Sequence, residues 1–186
     1  RAAGVSNFNV QLLEKCEKIR HVDSLQPPFS MINRTAAADL LPWCKSHNTG
    51  VINYSPMQSG ILTDAFSADR VAKMSSDDWR RRGPEFQEPK LSRNLALRDA
   101  LRPIAARHGV SVSSVAVAWT LCWPGLSGAI VGARSPEQVD GWIQAATLQL
   151  TQSDLAEIAA AIAKTQAGAG PSEPPKTIAS RGSSSS

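Results

Sequence analysis

Tyr54 closes a short β-branched run, and the residues after it change character at once. Val51 and Ile52 read as a strand, which Pro56 must end because it has no N–H to give a sheet ladder. Ser55, Met57, Gln58, Ser59 and Gly60 then make a polar turn. A buried strand opening into such a turn is where α/β folds place ligands. Tyr54 offers a flat face with a polar tip, suited to stacking on a planar ring. Ser55 and Ser59 offer hydroxyls, and the backbone near Gly60 can approach a charged group closely. The plainer reading is a tight turn whose tyrosine caps the core.

A second group sits at Arg134 and Ser135. Ser135, Pro136 and Gln138 spell a helix start, with a cap, a proline at the first helical position and a partner for a capping box. Free N–H groups there, beside a guanidinium, make a plausible phosphate site. Further side-chain amides stand at two other predicted strand ends, on Asn7 after Ser6 and on Gln26. Together with Tyr54 they could hold a flat ring bearing a carboxamide, although singly each could simply satisfy loop backbone.

Catalytic candidates are few. His21, His47 and His108 fall at or just past helix ends, away from the predicted strand ends. Asp23, Asp64 and Glu85 have no paired carboxylate at useful spacing, and Arg80, Arg81 and Arg82 read as a solvated run. Cys16, Cys44 and Cys122 are far apart, with no metal-ligand spacing and no adjacent base. They read as free thiols in a reducing, cytoplasmic compartment.

The elements that would position these groups alternate. Strands are expected near residues 2–6, 22–26, 51–54 and 128–131. Helices are expected over residues 10–20, 36–47 (with Pro42 marking a kink or a late start), 95–108, from Ser111 to about Cys122, from Pro136, and from Thr151 to about Gln166. Residues 63–90 read as a long loop, uncommon in a compact domain unless functional or mobile. Residues 167–186 are rich in Gly, Pro and Ser and read as a disordered tail. Alternating strands and helices imply a parallel sheet, either half of an eight-stranded barrel or a small doubly wound sheet. No GxGxxG follows the first strand, which weighs against a Rossmann domain.

The chain of 186 residues is long enough for one real core, with 42% hydrophobic and 19% charged residues. Its net charge of +4 owes part to the arginine run, and no basic stripe interleaved with aromatics suggests nucleic-acid binding. Nothing approaches eighteen consecutive apolar residues, so no membrane span is expected.

Four segments together resemble the aldo-keto reductases: Gly4-Val5-Ser6-Asn7-Phe8, Gln26-Pro27, Tyr54 through Leu62, and Ile130 through Gln138. They come in family order and extend from Gly4 to about Ala163. The resemblance implies the C-terminal half of a (β/α)8 TIM barrel, strands five to eight, over residues 1–166. It implies an NADP(H)-dependent oxidoreductase that turns a small aldehyde or ketone into an alcohol. Ser6, Asn7 and Gln26 would hold the nicotinamide carboxamide, and Tyr54 would stack on its ring. Ser55, Met57 and Ser59 would line the pyrophosphate, in a loop that includes Pro56, Gln58, Gly60 and Leu62. Gly132 precedes Arg134 and Ser135, which would hold the 2′-phosphate, with Gln138 near the adenosine. Gly141 and Trp142 stand where family members often carry an acidic residue and Asn. The family's catalytic Asp, Tyr, Lys and His come from the first four strands, so the chain is expected to be an inactive fragment, with no catalytic residue of its own. The other reading the resemblance offers is a cofactor-binding regulatory subunit like the potassium-channel β subunits. Neither reading fixes an oligomeric state.

Overall fold

Four strands form one sheet: β1 (Gly4–Ser6), β2 (Ser24–Gln26), β3 (Gly50–Tyr54) and β4 (Leu126–Ile130). They lie in the order β1-β2-β3-β4, and every neighbouring pair is parallel. The computed structural model describes residues 1–175. Helix α1 (Val10–Glu17) makes the first crossover and α2 (Leu40–Ser46) the second. The third is a long excursion through α3 (Ala68–Ala72), α4 (Lys90–Ala100), α5 (Arg102–His108) and α6 (Val112–Leu121). After β4 come α7 (Pro136–Asp140) and α8 (Gln152–Thr165). A strand order that follows chain order belongs to a barrel segment. A doubly wound sheet would reverse direction partway.

Alternation along the strands sets the two faces. Leu25, Val51 and Asn53 are buried, on the helix side. Ile52 and Ile130, on the other face with Gln26 and Tyr54, are 41% and 44% exposed. The β3–β4 register slips between Val51 and Ile52, which pair with Leu126 and Gly128, leaving Ser127 as the extra residue. The core lies between sheet and helices, where Leu13, Leu97, Leu101 and Ile158 are fully buried. Phe29 stacks on Trp119 at 5.6 Å, and Trp123 meets both rings edge-on.

Local chemistry starts most helices as expected. Asn9 accepts from Leu12 N–H, and Ser111 from Ser114 N–H. Thr151 and Asp154 form a complete capping box. Pro42 marks a late start of α2, whose N-cap is Asp39.

Other boundaries need correction. The helix expected over residues 95–108 is two, α4 and α5, joined at Leu101. Pro103 near the start of α5 has no N–H to bond backwards and its ring crowds the preceding turn, so one straight helix cannot pass through it. Strand β4 starts earlier than expected, at Leu126. The loop over residues 63–90 contains α3 and two 3₁₀ turns, Trp79–Arg82 and Pro84–Phe86. Phe86 packs between Phe66 and Trp79, at 5.9 and 5.8 Å, and gives this segment a small core. The first residues of the disordered tail expected from residue 167 are instead ordered. Ala167 is buried, Ala169 bridges Asn33, and Arg34 bonds the segment through Gly170. Residues 176–186 of that expectation lie outside the described residues.

Candidate functional site

The ends of β1, β2 and β3 are tied to one another. Ser6 Oγ and Asn7 N–H both donate to the Gln26 carbonyl, at 2.9 and 3.2 Å. The Tyr54 hydroxyl donates to Asn7 Oδ1 at 3.0 Å. Thus Ser6, Asn7, Gln26 and Tyr54, separate in the sequence, form one hydrogen-bonded rim.

Beside this rim a cleft of about 700 Å³ opens between the ends of β3 and β4. Tyr54, Ser55, Pro56, Met57, Ser59 and Gly60 line one side. Gly132, Arg134 and Gln138 line another. The loop over residues 55–60 has an unusual backbone, since Ser55, Gln58, Ser59 and Gly60 all hold positive φ. Asn7 does so too. For a residue with a side chain this conformation costs on the order of 1 kcal/mol or more, and it persists only where the surroundings enforce it. Here they do: Gly60 N–H and Leu62 N–H both donate to the Met57 carbonyl, at 3.1 Å.

Several expected site residues stand elsewhere. Leu62 is fully buried in the core, so its side chain anchors the loop and does not line the cleft. The Gln58 side chain accepts from Ser30 Oγ at 2.8 Å, which draws it behind the loop. Ser135 precedes α7 but makes no side-chain cap, and its hydroxyl helps hold the Glu137 carboxyl below the usual range. Gln138 Oε1 instead accepts from Arg134 N–H at 2.8 Å, and this bond shapes the turn that presents Arg134. Helix α7 has 5 residues, too few for a strong dipole. Anion affinity at this end therefore rests on the guanidinium.

Other lining groups escaped the sequence reading. Arg80, expected in a solvated run, folds back into the cleft with its side chain 14% exposed. Its Nε donates to Asp78 Oδ1 at 3.0 Å, and another nitrogen lies 3.5 Å from the Ser59 carbonyl. Hydrogen bonding from Arg80 holds the Asp78 carboxyl down at about 2, and the charge of Arg134 adds to this. The same bond raises the Arg80 guanidinium further. Arg70 reaches over the Phe66 ring at 6.0 Å. The start of α6 forms another wall through Ser111 and Ser113. There Asp64 Oδ2 accepts from Val112 N–H at 3.0 Å, and Ser111 donates to the Gly141 carbonyl. Trp142 lines the cleft while its indole N–H is buried without a partner among the described residues. No local signal marks Arg70 or Arg80, because a loop of this length places them only through its own fold.

The arrangement joins an aromatic face, hydroxyls and three guanidinium groups in one cleft. It suits an extended anionic molecule that carries a planar ring. The cysteines do not enter it. Cys44 is buried, which pushes its thiol up to about 11, and Cys16 and Cys122 are likewise free thiols. Among the described residues no helix is long and apolar enough to cross a membrane.

Comparison with known proteins matches residues 1–163 to the model of the Aldo/keto reductase family. The aldo-keto reductase YhdN of Bacillus subtilis is 30% identical over 85% of this chain and 47% of its own length. The NADH-specific methylglyoxal reductase of Escherichia coli is 26% identical over 83% of this chain and 46% of its own. The solved structure of a glycerol dehydrogenase from Gluconobacter oxydans superposes with a TM-score of 0.83 at 30% identity, covering 92% of this chain and 51% of that one. The chain spans about half the length of these relatives.

Proposed function

The chain belongs to the aldo/keto reductase family, and from that membership we propose that it forms the NADP(H)-holding part of an oxidoreductase that converts an aldehyde or ketone to an alcohol. The observation that carries this reading is that Tyr54 and the guanidinium groups of Arg80 and Arg134 line one cleft.

The residues fit the group. Its volume lies within the range of small-molecule sites, roughly 300–1,000 Å³. Tyr54 offers the face for a nicotinamide ring. Asn7 Nδ2 and the Gln26 side-chain amide have no hydrogen-bond partner among the described residues, which leaves them free for a carboxamide. Ser55 and Ser59 suit a pyrophosphate, with Arg80 beside them. Arg134 suits a 2′-phosphate, the group that separates NADP(H) from NAD(H). Bound NADPH supplies the hydride. The protein's part is to bind, orient and partly shield it.

Tyr54 is the single tyrosine of the chain, and its hydroxyl is committed to Asn7. We therefore assign it no proton transfer. Among the described residues we assign none the family's proton-donor role, and the chain alone is expected to give no turnover.

Fluorescence titration with NADPH and with NADH tests the reading. Saturable binding with NADPH the tighter is expected. Equal binding of the two overturns the 2′-phosphate assignment, and binding of neither overturns the cofactor reading.

A further inference from the structure

Residues 167–170 lie past the last helix, yet they are built into the fold. Ala169 N–H donates to the Ile32 carbonyl, and Arg34 N–H donates to the Ala169 carbonyl, at 3.0 and 2.9 Å. Arg34 itself is only 3% exposed. Its guanidinium bonds the carbonyls of Met31, Ala167 and Gly170. The approach is so close that a Cβ on Gly168 would overlap the Ile32 carbonyl, and one on Gly170 would overlap the Arg34 backbone. Both glycines also hold positive φ.

What this segment grips is the back of the cleft. Residues 30–34 turn around Ser30, which is fully buried. Ser30 Oγ accepts from Ile32 N–H at 3.2 Å and from Asn33 N–H at 2.9 Å. The same hydroxyl donates its one proton to Gln58 Oε1. An unbroken path therefore runs from residues 167–170, through Ile32, Asn33 and Arg34, to Ser30 and Gln58. Gln58 begins the run of three positive-φ residues that shapes the cleft loop.

We infer that residues 167–170 are a strap that positions the cleft loop: they fix the turn at residues 30–34, and Ser30 then holds Gln58 and its neighbours in their left-handed conformation. The strap's hydrogen bonds go to Ile32 and Arg34 and to no cleft-lining group. It acts on the fraction of molecules whose loop is in the binding conformation, and apparent affinity falls with that fraction. This consequence for affinity rests on the cofactor reading above; the order of the loop does not.

Gly168→Ala is the probe, because the added Cβ must lift the strap, and a segment beyond the last helix can lift without unfolding the core. Gly109→Ala is the control. It also replaces a positive-φ glycine, but a Cβ there meets nothing within 4 Å, and it caps α5 with no hydrogen bond to the strap, the turn at residues 30–34 or the loop. Ser30→Ala cuts the path at its far end. Amide hydrogen exchange of residues 57–62 is read in the 186-residue chain without cofactor, together with NADPH titration. Gly168→Ala and Ser30→Ala are each expected to speed exchange there and to weaken NADPH about tenfold. Combined, they should add little to either alone, and Gly109→Ala should change neither reading. Unchanged exchange in Gly168→Ala, or an equal change in Gly109→Ala, overturns the strap. If no form binds NADPH, the cofactor reading fails and exchange alone decides the strap.

Discussion

At the strand ends, four residues with side chains, Asn7, Ser55, Gln58 and Ser59, hold positive φ. In the helical layer of α5, α6 and α8, only Gly109 and Gln166 do so, each as a helix C-cap, where that conformation is ordinary. The layer is sealed in other ways as well. Asp154, with its side chain 2% exposed, accepts from Arg107 at 2.8 Å and bonds His108 at 2.9 Å, while it closes the Thr151 box. At the rim and the cleft, by contrast, the exposed side chains of Asn7, Gln26 and Arg134 keep donors without a protein partner among the described residues. The difference in backbone marks which side of the molecule is arranged for itself and which for a ligand, since left-handed backbone outside helix caps persists where function recovers its cost.

The largest effect should come from the sealed side. Asp154→Ala removes a helix cap and charged hydrogen bonds together. It should lower unfolding free energy by about 2–3 kcal/mol in urea titration. Burial alone would raise the Asp154 carboxyl, but Thr151, His108 and Arg107 hold it below its ordinary 3.8. Its contribution is therefore fully present above pH 3.8 and is lost as pH falls below that toward the folded-state value. The acid limb of stability should flatten in the variant. A limb that does not change would place the acid sensitivity elsewhere.

Next in size is Arg134→Ala. It should leave stability nearly unchanged while weakening NADPH by about 1.5–3 kcal/mol, with little loss for NADH. An equal loss for both would remove the 2′-phosphate from this end and leave Arg80 as the stronger candidate.

The same contrast governs what the sequence reveals. Caps and stops are local, so Asn9, Ser111 and the Thr151–Asp154 box are legible, and so is the late start at Pro42. The rim is legible because motif residues stand at strand ends. Arg80 is not, because its place depends on Asp78 and Ser59 meeting it through a folded loop. Gln58 and Leu62 belong to the cleft motif, yet their side chains serve Ser30 and the core. Composition alone also misjudges residues 167–170, whose glycines permit close packing against residues 32–34.

The smallest effect belongs to Tyr54. Tyr54→Ala should weaken NADPH by about 1 kcal/mol through loss of the stacking face. Tyr54→Phe should keep most of the affinity, losing only the bond to Asn7. If Phe is as damaging as Ala, the hydroxyl and not the face is what matters.

The central claim is that one cleft, from the Tyr54 rim to Arg134 and walled by the start of α6, holds the dinucleotide while α5 and α8 stand apart. Amide NMR of the 186-residue chain during NADPH titration tests it most directly. The account predicts shifts at residues 54–62 and 132–138, with α5 and α8 unmoved. Shifts confined to α5 and α8, or spread evenly over the chain, would contradict it.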